Sequence, residues 1–165
     1  MTGASDVSSW LAAHMPGGWF VEAPEIQIDR DEVLVIGRLE DAGGDEACLR
    51  SIERFREATR DHRIRVAAEA ERQFGRKVSW GARCGGVRQL FTILTVPAMT
   101  RLRFAERAVL DTLIDAGVAR SRSDALAWCV RLVGANQSEW LDQLREAFQH
   151  VQRVRAAGPK APASD

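Results

Sequence analysis

The sequence predicts an α+β protein: an N-terminal ββαββ unit with one long helix, then a strand–helix–helix module and a C-terminal helix. Three observations predict it. Two pairs of short, β-branched runs lie at Glu25–Leu39 and Lys77–Val96. Between them, Asp45–Phe74 repeats apolar residues every three or four positions, the stripe of an amphipathic helix. After Pro97 a short alternating segment leads into two helical stretches, separated by Gly117 and a serine cap signal.

Composition sets the bounds. A chain of 165 residues with 45% hydrophobic and 28% charged residues suits one substantial domain or two small ones. No apolar run approaches the roughly 20 residues that a membrane helix needs. The first residues lack the basic and apolar regions of a secretory signal. Cys48, Cys84 and Cys129 lie far apart and make a poor disulfide framework, so reduced thiols in a cytoplasmic protein are expected. Net charge is zero but unevenly spread: residues 1–44 hold two basic and eight acidic residues, and residues 78–134 hold eight basic and four acidic. All but two of the 23 cations are arginine, the residue suited to bidentate recognition of phosphate or guanine; biased genome composition explains this equally well.

Residues 1–17 are rich in Ser, Gly and Ala and are expected to form a flexible N-terminus, which Trp10 and Leu11 could tack down. An accessory α+β domain spans 18–97. In it Ile26 and Ile28 alternate with polar residues, Asp29–Glu32 makes a turn, and Val33–Ile36 is a buried-type strand. Gly43 and Gly44 break the chain. Asp45–Phe74 then reads as one helix, with Leu49, Ile52, Phe55, Thr59, His62, Val66, Ala70 and Phe74 on its apolar stripe. Charges of both signs, including Glu53/Arg56 and Glu57/Arg60, fill the other faces as a solvated surface or as the contact for a nucleic acid or a protein partner. Gly75 ends the helix. Lys77–Ala82 and Gln89–Val96 read as strands across the turn Gly81–Gly86, which has neither the spacing nor the lysine of a nucleotide loop.

Residues 98–134 carry the functional signal. Met99, Arg101 and Arg103 alternate with Thr100, Leu102 and Phe104, so a strand here would set two arginines on one face and apolar groups on the other. Ala105–Ala116 follows as a helix that turns Leu110, Leu113 and Ile114 to a core. Ser121-Arg122-Ser123-Asp124 fits the start of a second helix. That helix sets Leu126, Cys129, Val130 and Val133 on one side and Trp128 and Leu132 on another, which suggests a partner chain. Asn136 and Glu139 then read as a capping pair for a C-terminal helix over 135–156. Its Leu141, Leu144, Phe148 and Val151 form a heptad-like seam. Residues 157–165, with Pro159 and Pro162, read as a disordered tail.

The run Gly117–Leu126 resembles the turn between the helices of the ribbon-helix-helix family of transcription factors and antitoxins, and the resemblance covers residues 99–134. It implies a homodimer in which one strand from each chain forms a ribbon in the major groove of double-stranded DNA. Met99, Arg101 and Arg103 would then face the groove. Backbone amides around Ser121, Arg122 and Ser123 would hold a phosphate. Leu102, Phe104, Leu113, Leu126, Trp128 and Val130 would build the dimer core. Phe91–Val96 has the better strand propensity, so the ribbon lies either there or at 98–104.

Other function classes have less behind them. Tyrosine is absent, and His14, His62, His150 and the cysteines are scattered, so no catalytic or metal site and no cofactor are expected. An antitoxin-like protein or adaptor that binds a protein or RNA partner is the alternative.

Overall fold

The computed structural model describes residues 4–158, and the chain divides into two compact units, one ending at Ala98 and the other beginning at Met99. The first contains α1 (Ala4–His14), β1 (Glu25–Ile28), β2 (Glu32–Arg38), α2 (Asp45–Ala58), α3 (Arg60–Phe74), β3 (Lys77–Cys84) and β4 (Val87–Leu90). The second contains α4 (Phe104–Asp115), α5 (Arg122–Asn136) and α6 (Ser138–Ala157). The chain is therefore α+β.

In the first unit, β1/β2 and β3/β4 are antiparallel hairpins, and β2 pairs in parallel with β3, giving the order β1-β2-β3-β4. Helices α2 and α3 make the long crossover that a parallel pair requires. The register sets Val33 beside Val78 and Val35 beside Trp80. Val33, Val35, Trp80 and Ala82 pack with Ile52 and Val66 from the helices in one core. Gly37 lies in β2 against the ring of Phe20, and any Cβ there would overlap that ring. A Gly37→Ala variant is therefore expected to lose about 1–3 kcal/mol, the usual cost of overpacking, as measured by urea unfolding.

Several sequence expectations need correction, five of them in the elements themselves. Residues 4–14 form a docked helix, not a flexible terminus: Val7 and Leu11 are fully buried in the core. Asp45–Phe74 is two helices, broken at Thr59. There Thr59 Oγ1 donates to the Phe55 carbonyl at 2.7 Å, a back-bond that bends helices, and Arg63 Nη2 takes the Arg56 carbonyl at 2.7 Å. The last strand stops at Leu90, so Phe91–Val96 is not a strand. Cys48 and Cys84, expected as free thiols, are joined by a disulfide. The fold brings the start of α2 to the end of β3, with a Cα–Cα separation of 5.2 Å. Asp41 lies beside that pair, so this corner holds three potential metal-ligand residues that the sequence presents as scattered; bonded to each other, the sulfurs are not thiolates. The fifth correction is at α6, which is preceded by Gln137 without a side-chain cap, while Asn136 belongs to α5. Of the expected tail, residues 159–165 lie outside the described residues.

The second unit has a small core. Leu110, Ala119 and Ala125 are buried, with Leu102, Leu113, Ile114, Leu126 and Cys129 packed around them. Helix α4 ends in a Schellman turn: Gly117 has φ 73°, its N–H donates to the Ile114 carbonyl, and Val118 N–H donates to the Leu113 carbonyl, both at 2.9 Å.

Candidate nucleic-acid interface

Residues 92–103 form no helix or strand within the chain. Leu102 turns inward onto the small core, whereas Met99, Arg101 and Arg103 are exposed. Arg103 is the N-cap of α4 in extended conformation, and its N–H donates to Glu106 Oε2 at 2.6 Å. Arg107 holds the preceding residue, with Nη1 donating to the Leu102 carbonyl at 2.8 Å. Phe104, expected in a strand, is the first residue of α4 and is 80% exposed. A helix start takes it because the Glu106 carboxylate satisfies the amide that opens α4.

The start of α5 is closely determined. Ser121 is its N-cap and its Oγ accepts from Asp124 N–H at 3.2 Å. Asp124 reaches back to accept from Arg120 N–H at 3.1 Å. The amides of Arg122 and Ser123 belong to the first turn, where helix donors lack internal acceptors. The side chain of Arg122 has a different role: it bridges to Asp111 on α4, with Nε donating to Oδ1 at 2.7 Å and Nη2 to Oδ2 at 2.8 Å. This fork clamps the two helices across the Gly117 turn. The sequence singles out Arg122 and Asp124 but not their partners, Asp111 for Arg122 and Arg120 for Asp124. A pair eleven residues apart across a turn has no local period to betray it.

Two carboxyls here are shifted. Hydrogen bonding to Arg122 holds Asp111 below the ordinary carboxylate range, and the Arg120 backbone N–H does the same for Asp124. A depressed folded pKa gives stability that is present above the unfolded value, about 3.9, and lost as pH falls through the folded value below it. An Asp111→Asn variant is therefore expected to melt earlier than the parent at neutral pH. The gap should close as pH drops below about 4, as thermal melts across that range would show.

The expected dimer-core residues are unevenly covered. Leu102, Leu113, Leu126 and Trp128 are half-buried, while Phe104 and Val130 are exposed. Val109, Leu132 and Val133 are exposed as well, as are Trp140, Leu144, Phe148 and Val151 on α6, which has no buried residue. Among the described residues no helix is long and apolar enough to cross a membrane.

Residues 5–90 match the family described as Rv1265-like protein, N-terminal domain. The chain belongs to the Rv1265-like family. Residues 103–155 match the Mb1296 C-terminal domain, so the two matched segments leave between them the irregular stretch that carries Met99 and Arg101. The chain is 50% identical to uncharacterized protein Mb1296 of Mycobacterium bovis and to uncharacterized protein Rv1265 of Mycobacterium tuberculosis. In each case the similarity covers 97% of this chain and 73% of the relative. No solved structure matches the chain.

Proposed function

We propose that this Rv1265-like chain is a dimeric, sequence-specific DNA-binding regulator of ribbon-helix-helix type. One observation carries the reading: a segment that forms neither helix nor strand within its own chain, with Leu102 inward and Met99, Arg101 and Arg103 outward, runs directly into a helix, a glycine turn and a serine-capped helix. In a dimer, residues 98–103 pair antiparallel with the same residues of a second copy, and their unpaired backbone groups are satisfied there. The arginines then project from one face of the ribbon toward base edges. The first amides of α5 face a phosphate.

The second support is apolar surface. Three buried residues are a small core for helices α4 to α6, and Val109, Val130, Leu132 and Val133 stay exposed, apolar surface of the kind that a partner covers. A two-fold partner covers such surface with the same surface from its own chain.

Fluorescence anisotropy with duplex DNA from the gene's own upstream region tests the reading. Affinity is expected to fall steeply between about 50 and 200 mM salt, with a slope near −0.9 for each phosphate neutralised. Absence of binding at low salt, or tighter binding to RNA than to duplex DNA, rejects it in favour of an adaptor.

A further inference from the structure

We propose that the cavity at the break between α2 and α3 binds a phosphate group, either free phosphate or the head of a small phosphomonoester. The site lies in the N-terminal unit and stands independently of the DNA-binding reading. The cavity has a volume of about 530 Å³ and is lined by Arg56, Arg60 and Arg63, with Glu57, Phe91 and Thr92 beside them.

Arg63 is the centre of the argument. It is only 6% exposed, yet its partners are neutral. Nε donates to Thr59 Oγ1 at 3.0 Å, Nη2 donates to the Arg56 carbonyl at 2.7 Å, and the guanidinium stacks 4.7 Å from the ring centroid of Phe91. Among the described residues no ion pair engages Arg56, Arg60 or Arg63. Arginines this deeply buried are rare unless paired, because an uncompensated charge away from water is costly. Burial, and then the neighbouring charge of Arg56, pull the Arg63 pKa below its ordinary value, against a smaller opposing pull from the Glu57 carboxylate. An arginine does not relieve that cost by deprotonating. A bound anion relieves it.

The charge and donor count choose the anion. Three guanidiniums and one carboxylate leave two positive charges around the cavity, which a phosphate dianion balances. Each guanidinium presents a planar fork of donors. Arg63 spends Nε on Thr59 and one Nη2 hydrogen on the Arg56 carbonyl, but its remaining donors and the forks of Arg56 and Arg60 still exceed what one planar carboxylate can accept, whereas a tetrahedral oxyanion offers oxygens in several directions. Thr92 adds a hydroxyl. A recess whose key guanidinium is buried suits a small molecule better than the convex backbone of a duplex.

The experiment is calorimetric titration of the full chain at about pH 8 with inorganic phosphate, glycerol phosphate, sulfate and acetate, each against chloride at matched ionic strength. Phosphate is expected to give a saturable heat and a raised melting temperature, sulfate to do so more weakly, and acetate to behave as chloride does. Arg60→Gln, at an exposed position that can still fold, is expected to weaken phosphate binding at least fivefold, and Arg56→Gln likewise. Arg65→Gln, which does not line the cavity, should leave it unchanged. Binding of glycerol phosphate as well as phosphate makes the ligand a phosphomonoester head; binding of phosphate alone makes it the free ion. Phosphate indistinguishable from chloride, acetate as tight as phosphate, or undiminished affinity in Arg60→Gln overturns the proposal and leaves Arg63 as a clamp on the helix break.

Discussion

Leu11→Ala is expected to destabilise the N-terminal unit by about 2–5 kcal/mol, the range for removing a fully enclosed leucine and leaving a cavity. Leu11 is 0% exposed, and so is Val7 one helical turn before it. Their helix is held further by Trp10, whose ring stacks on His14 at 3.8 Å and meets the edge of Phe74 at 5.5 Å. Met15 N–H, just past the helix, donates to the Leu11 carbonyl at 2.9 Å, so the loss of packing falls where the chain leaves α1. Urea unfolding followed by tryptophan fluorescence would measure the effect, since Trp10, Trp19 and Trp80 all sit in or against this core. Ala12→Ser, on the exposed face of the same helix, should change stability by less than about 0.5 kcal/mol. A Leu11→Ala loss below 1 kcal/mol would mean that α1 does not stabilise the unit.

Composition and periodicity point in opposite directions at the terminus that this variant tests. Val7, Trp10, Leu11 and His14 recur at the steps of a helix, but they sit among Ser, Gly and Ala, whose composition suggests disorder. Periodicity was the better guide there. The opposite happened at Asp45–Phe74. The apolar stripe runs unbroken through Thr59, so period alone predicts one helix, and the break comes from side chains bonding to backbone carbonyls. Thr59 and Arg63 are ordinary residues on a helical wheel; only their hydrogen bonds reveal the bend. The Cys48–Cys84 bond was hidden similarly, because its partners are 36 residues apart and meet only when the crossover returns β3 to the sheet beside β2.

The start of α5 was legible because a cap is local chemistry. Ser121 and Asp124 lie three residues apart, and the serine closes on the third amide of the helix. The glycine turn before it was legible for the same reason, since a positive φ at Gly117 is a demand on one residue. The Asp111–Arg122 fork was not, because it depends on how two helices pack. The phosphate-sized cavity was equally hidden. Glu57 and Arg60 read as a helical ion pair on a solvated face, whereas the structure turns three arginines around one recess and leaves all of them without a carboxylate in ion-pair contact.

The double variant Arg101→Ala/Arg103→Ala is expected to weaken specific DNA binding by at least 100-fold, about 2.7 kcal/mol. Both side chains are exposed on either side of the inward Leu102, and neither takes part in an ion pair among the described residues. Removing them therefore takes little from the folded chain, and the melting temperature should stay near that of the parent. In a dimer the variant deletes four guanidiniums from one ribbon, each worth roughly 1–3 kcal/mol where it pairs bidentately with guanine. The full sum is not expected, since such losses are not additive among neighbours. Lysine replacements separate two roles. If the arginines read bases, Arg101→Lys/Arg103→Lys keeps the salt slope but loses discrimination between the operator and a scrambled duplex. If they only meet phosphates, the lysine variant binds nearly as the parent does, and the alanine variant loses affinity for all sequences alike, with a slope shallower by about 0.9 for each contact removed. Unchanged affinity in the alanine variant at every salt concentration would remove these residues from the interface and the ribbon reading with them.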